Sequence, residues 1–76
     1  PRMAHLMTAN FEEEAVRSYT EYLTLIDQKV ISNPPAPVIA IQYYDLKRNA
    51  RLRDMIECVR ADEMKHAEVN RRYSKR

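Results

Sequence analysis

The segment Asn33-Pro34-Pro35-Ala36-Pro37 limits what this chain can fold into more than any other feature. Its prolines remove backbone donors and fix φ, so neither a helix nor a central strand can run through it. The 76 residues are thereby cut into two stretches, each long enough for one long helix, and the chain contains no glycine. A P-loop, a dinucleotide-binding fingerprint and a nucleophile elbow all need glycine for backbone reasons and are excluded. Any chemistry has to be carried on helix faces. A chain of this length folding alone buries only ~60% of the surface its unfolded form exposes, too little for a self-contained catalytic domain with its own pocket. Charged residues make up 32%, and no apolar run approaches the ~18 residues that suggest a bilayer span. The single cysteine, Cys58, rules out a disulfide framework and a cysteine-only metal site, fits a reducing compartment, and is expected to serve packing. Pro1 stands where an initiator methionine would, so we expect the natural amino terminus to lie upstream.

Charge is uneven: residues 1–38 hold three basic and five acidic side chains, and residues 39–76 hold ten and six. Thr8 or Asn10 can cap a first helix whose opening turn carries Glu12, Glu13 and Glu14, the sign favoured there by the helix dipole, running to about Val30. After the prolines, Val38 to Tyr44 is an apolar run that suits a buried strand or a short helix; we expect the helix. Asn49 caps a second long helix from Ala50 to about Tyr73, which ends in the basic residues Arg71, Arg72, Lys75 and Arg76.

Each long helix carries a stripe. At about 100° per residue, Glu12, Ala15, Tyr19, Leu23, Ile26 and Val30 fall within an arc of about 80°. On the second helix, Leu52, Ile56, Val59, Glu63, His66 and Asn70 repeat at alternating steps of four and three. Both faces expected to be buried therefore contain acid. A buried carboxylate costs several kcal/mol unless it is paired, protonated or bound to a metal. Glu63 and His66 are three apart and can reach a common point, and a Glu-x-x-His pair with a single Glu from a neighbouring helix is half the ligand set of the carboxylate-bridged di-iron four-helix bundles. The competing reading is a solvated helix face, which is what an isolated Glu-x-x-His more often marks.

A more specific signal lies in the blocks Glu12-Glu13-Glu14-Ala15-Val16-Arg17-Ser18-Tyr19-Thr20, Pro35-Ala36-Pro37 with Ile39-Ala40-Ile41 and Tyr43-Tyr44, Leu52-Arg53-Asp54, and Arg60-Ala61-Asp62-Glu63 with His66 and Val69-Asn70. Collinear from about His5 to Asn70, they resemble the carboxy-terminal part of the alternative oxidases, the cyanide-insensitive ubiquinol oxidases of the mitochondrial inner membrane. The plastid quinol oxidases are related but differ in the Glu-Glu-Glu block, so the mitochondrial branch fits better. The resemblance implies an all-α, ferritin-like di-iron four-helix bundle. This chain would contribute two long helices and a connecting segment with a short helix: residues 1–7 as the tail of a membrane-associated helix, 8–31 as the first bundle helix, 32–48 as the proline-rich connection and 49–74 as the second bundle helix.

Position by position, the resemblance makes Glu12, Glu63 and His66 iron ligands, the same three that the stripes select. It makes Tyr19 the catalytic tyrosine near the metal, with a role in electron or radical transfer, where a core tyrosine would explain the stripe as well. Ala15, Ser18 and Glu14 fall where the family binds its quinol; for Ser18 the alternative is an ordinary helix serine bonding to its own turn. Glu14 lies about 200° from Glu12 round the helix. Asp62 corresponds to a residue that orients ligands through hydrogen bonds, the alternative being an exposed salt bridge to Arg60. Tyr43 and Tyr44 match an aromatic pair suited to packing. His5 matches a recurrent histidine or is a surface residue. Departures are Phe11 for leucine, Ala9 near a usual glycine and Arg71 for histidine.

The activity implied is oxidation of ubiquinol coupled to four-electron reduction of O2 to water, with iron as cofactor. The enzyme would act as a homodimer on the matrix face of the inner membrane, held by an amphipathic surface rather than a span. The remaining ligands would come from upstream sequence, and these 76 residues alone would be inactive. Ligand types of this kind accept manganese as well as iron. From a different class, a non-catalytic half-bundle could dimerise through its stripes, with the acids as pairing determinants. A nucleic-acid contact through the basic terminus is disfavoured by the small net charge and sparse aromatics.

Overall fold

The computed structural model describes residues 2–75 and is all-helical, with no strand among them. Helix α1 spans Arg2–Asp27, α2 Val38–Tyr44 and α3 Leu52–Ser74. The proline segment falls between α1 and α2, as the sequence dictates, and α2 takes the helical option.

Three helix ends differ from the sequence expectation, each for a local reason. Neither Thr8 nor Asn10 starts a helix, because α1 is already continuous from Arg2. The Thr8 hydroxyl donates to the Ala4 carbonyl at 2.9 Å, folding onto the preceding turn instead of capping. Residues 2–7 are thus one piece with the rest of α1. At its other end α1 stops at Asp27, and Val30 lies beyond it. The Lys29 N–H donates to the Ile26 carbonyl and the Val30 N–H to the Leu25 carbonyl, both at 3.0 Å, while Lys29 takes φ 61°. This is a Schellman ending with lysine in the left-handed position that glycine usually fills. Helix α3 begins at Leu52 rather than Ala50, since the Asp54 carboxylate accepts from the Arg51 N–H at 2.7 Å and makes Arg51, not Asn49, the cap residue.

The connection is tied across itself. The Ala36 N–H donates to the Ala50 carbonyl at 2.9 Å and the Leu52 N–H to the Pro34 carbonyl at 2.8 Å, an antiparallel pairing that brings the chain back beside the end of α1. With no glycine available, α2 ends on Asp45 at φ 52°, ψ 48°, a conformation that aspartate tolerates better than most side chains.

The apolar core is thin. Its buried members are Ala9, Ile26, Ala36, Ala40, Ala50, Ile56 and Ala67, mostly alanines, of which Ala9 on α1 and Ala67 on α3 belong to the two long helices. The molecule measures 43 × 27 × 12 Å, so its thinnest dimension is about one helix diameter. A single layer of helices can bury only the seam between them. Phe11, Val38, Ile39 and Tyr43 accordingly remain exposed, and the two stripes expected to be buried are only half covered.

Candidate metal centre

Across the α1–α3 seam, Glu12 from α1 meets Glu63 and His66 from α3. One ligand atom from each lies within 4.8 Å of the other two. The stripes therefore do meet, with the three residues selected by sequence at the meeting point. The Glu12 side chain is only 14% exposed, Glu63 is half-buried, and His66 is 60% exposed, its flank facing the open side of the layer. His66 Nδ1 stands 3.4 Å from Glu12 Oε2.

The donor set suits a transition-metal ion. Two carboxylates and an imidazole offer hard oxygen and borderline nitrogen donors, the mixture that iron and manganese accept. Ligands about 2.1 Å from one small divalent ion are at most about 4.2 Å apart. Side-chain adjustments of about half an ångström bring this trio within that limit. No salt bridge to lysine or arginine involves Glu12 or Glu63 among the described residues.

The remaining sequence-selected residues are placed around this point with less convergence. Tyr19 is half-buried two turns beyond Glu12, about 10 Å further along the helix axis. Ala15 is half-buried one turn on, and Ser18 is exposed. Glu14 is exposed, pairs with Arg17 at 3.0 Å, and borders a shallow groove lined by Met7, Asn10 and Phe11. Neither Ala15 nor Ser18 lines that groove, so Ala15, Ser18 and Glu14 do not share it.

Asp62, half-buried beside Glu63, faces Tyr44. Burial pushes the Tyr44 hydroxyl above its ordinary pKa range, and the negative charge of nearby Asp62 adds to this. Arg60, the alternative partner for Asp62, instead donates from Nε to Thr20 Oγ1 at 2.7 Å, linking α3 to α1. Tyr43 packs edge-on against Tyr44 with ring centroids 4.8 Å apart. Arg71 reaches across the seam, donating from Nε to Glu13 at 2.6 Å and from Nη2 to Asn10 at 2.8 Å.

Asn70 is given no role by the sequence reading, although it ends the α3 stripe. Its Nδ2 donates to Glu12 Oε1 at 2.8 Å and to the His66 carbonyl at 3.1 Å, and its Oδ1 lies 2.8 Å from His5 Nδ1. The available signal was a polar amide one turn beyond a ligand, on the ligand face. His5 also packs on Tyr73, with ring centroids 5.2 Å apart, so it belongs to the site's surroundings rather than to open surface.

The family model described as "Alternative oxidase" matches residues 1–75. Among curated relatives, a mitochondrial ubiquinol oxidase of Mangifera indica is 53% identical over 70 residues, covering 92% of this chain and 22% of the relative. Ubiquinol oxidase 1a, mitochondrial, of Arabidopsis thaliana is 51% identical over 70 residues, 92% of this chain and 20% of its own length. The mitochondrial ubiquinol oxidase of Batrachochytrium dendrobatidis is 46% identical over all 76 residues and 24% of its length. The chain thus spans about a fifth to a quarter of these relatives. No solved structure matches it.

Proposed function

Since the chain belongs to the alternative oxidase family, we propose that it forms the carboxy-terminal part of a non-haem di-iron ubiquinol oxidase in which Glu12, Glu63 and His66 hold iron. The observation that carries this reading is the convergence of those three side chains, from two helices, to within 4.8 Å. When bound, a pair of irons supplies the redox capacity that couples oxidation of ubiquinol to four-electron reduction of O2 to water.

The residues of this chain contribute position. Glu12 presents one oxygen to the trio while the other is held by Asn70. Glu63 and His66, one turn apart on α3, face Glu12 without help from a flexible loop, which keeps the ligands on rigid elements. Asp62, next to Glu63 on α3, places its negative charge near the Tyr44 hydroxyl of α2. We assign Tyr19 as the catalytic tyrosine, and Ala15, Ser18 and Glu14 as the quinol-facing residues.

The open faces of the helical layer favour a ferritin-like four-helix bundle, completed by two helices that carry the remaining Glu and Glu-x-x-His ligands. Within it, residues 8–31 and 49–74 serve as bundle helices, 32–48 as the connection, and 1–7 as the end of the membrane-facing segment. No described helix is long and apolar enough to cross a membrane. The exposed Met3, Met7 and Phe11, spaced along one side of α1, suit contact with a membrane surface. We place the enzyme, as a homodimer, on the matrix face of the mitochondrial inner membrane.

The test uses the protein expressed from its complete gene. Glu12→Ala and His66→Ala should each abolish bound iron and quinol oxidase activity. Unchanged iron content in both variants refutes the ligand assignment.

A further inference from the structure

We propose that Asn70 is a positioning residue for the metal ligand Glu12, and that His5 in turn fixes Asn70. This rests on the reading of Glu12, Glu63 and His66 as ligands and adds a supporting chain that the ligand set alone does not contain.

Hydrogen-bond chemistry determines how the chain is oriented. A carboxylate can only accept, so the group that Asn70 presents to Glu12 Oε1, at 2.8 Å, is its NH2. The second hydrogen of that NH2 goes to the His66 carbonyl at 3.1 Å, one turn back on α3. Both donors are then used, and the amide oxygen is left facing His5 Nδ1 at 2.8 Å. Because the amide oxygen accepts only, His5 must carry its proton on Nδ1. The imidazole is held in that orientation by the Tyr73 ring against which it packs.

The consequence falls on Glu12. Its Oε1 is occupied by Asn70 while Oε2 faces His66 Nδ1 at 3.4 Å, so the carboxylate plane is set with one oxygen directed at the ligand cluster. The same amide touches the backbone of His66, so one side chain registers a ligand on α1 against a ligand on α3. Neighbouring cross-seam contacts do something different: Arg71 holds Glu13 and Asn10, neither of which belongs to the trio. Groups that orient metal ligands through a hydrogen bond commonly change affinity when removed, by about 10- to 100-fold.

The experiment compares wild type, Asn70→Ala, His5→Ala, Arg71→Ala and Glu12→Ala in the protein expressed from its complete gene. Three quantities are measured: Fe(II) affinity by chelator competition, the ligand-field spectrum of bound Co(II), and the melting temperature of the metal-free protein. Asn70→Ala should weaken Fe(II) binding about 10- to 100-fold and shift the Co(II) bands. His5→Ala should do the same to a smaller extent. Arg71→Ala should lower the metal-free melting temperature at least as much as Asn70→Ala, yet leave affinity and spectrum at wild-type values. Wild-type affinity and spectrum in Asn70→Ala, with metal lost in Glu12→Ala, overturns the positioning role and leaves the ligand reading standing. If Asn70→Ala does not fold, His5→Ala decides, and wild-type values there overturn the role. Wild-type affinity in Glu12→Ala overturns the ligand reading and the positioning role with it.

Discussion

Among the polar contacts that join helices α1 and α3, the one near the connection and the one around Glu12 are built on opposite electrostatic plans. Near the connection, Arg53 donates from Nε and Nη2 to both oxygens of Asp27 at 2.7 and 3.1 Å, and it also pairs with Glu57 one turn along α3. Its backbone N–H donates to Asn33 Oδ1 at 3.0 Å, which ties in the connection. The acids there have a resident cation. Around Glu12 and Glu63 the partners are an amide and an imidazole, and no arginine or lysine salt bridge reaches either acid among the described residues. The first arrangement has its fixed cation in place and works as a staple. The second gathers two carboxylates and a nitrogen donor without a fixed positive charge, which is the arrangement a metal site needs.

The largest expected effect breaks the second plan. Glu63→Gln keeps the shape of the side chain but removes its charge and one oxygen donor. It should abolish iron retention in the protein expressed from its complete gene, measured as iron per protein after desalting, and leave the helical signal in circular dichroism in place. Wild-type iron content would make Glu63 a structural acid.

Packing comes next. Ile56, one of the two large buried residues in the seam, lies close to the staple. Ile56→Ala should cost about 2–4 kcal/mol in denaturant unfolding, with the Fe(II) affinity of the folded protein retained. An equal loss of affinity would show that the two ends are not separable. Ala9 is fully buried, with 0% exposure, three residues before Glu12. Ala9→Leu should cost about 1–3 kcal/mol by forcing the helices apart, and here metal binding should weaken along with stability.

The staple carries its own pH signature. The Arg53 guanidinium, by hydrogen bond and charge, holds the Asp27 carboxyl below the usual aspartate range. A depressed pKa means the stabilisation is fully present above the unfolded-state value and is lost as pH falls through the lower, folded-state value. Arg53→Ala should therefore lower the melting temperature near neutral pH and leave iron content unchanged. The gap from wild type should close on acidification through the Asp27 titration. A gap independent of pH would assign the effect to packing of the arginine stem. The smallest change concerns Lys29, whose φ of 61° costs a residue with a Cβ about 1 kcal/mol or more. Lys29→Gly should raise stability by about 0.5–1 kcal/mol, read from the unfolding midpoint.

The contrast also explains what could be read before any coordinates. The proline segment and the two periodic stretches determine a helical hairpin, periodicity leaves Val38 to Tyr44 open between a strand and a short helix, and stripe geometry selects Glu12, Glu63 and His66. These are properties of single helices, where spacing along the chain sets the face. Helix ends were less legible because Thr8 can cap a helix or bond back to Ala4, and only the continuity of α1 decides between them. At Lys29 the usual signal, a glycine, is absent. Partnerships across the seam were not legible. Asn70 with His5, Arg53 with Asp27 and Arg60 with Thr20 are separated by 65, 26 and 40 residues, and all depend on the register at which two helices meet. The degree of burial was overestimated for His66, because the stripe's periodicity implies a covering that a single layer of helices does not provide.

Iron is proposed to bind at the acid-rich meeting point of α1 and α3. This is tested most directly by locating iron in crystals of the iron-loaded protein, expressed from its complete gene, by anomalous scattering at the iron absorption edge. An iron peak is expected within bonding distance of Glu12, Glu63 and His66. Full iron occupancy with no peak there, the metal lying against other residues, would contradict this.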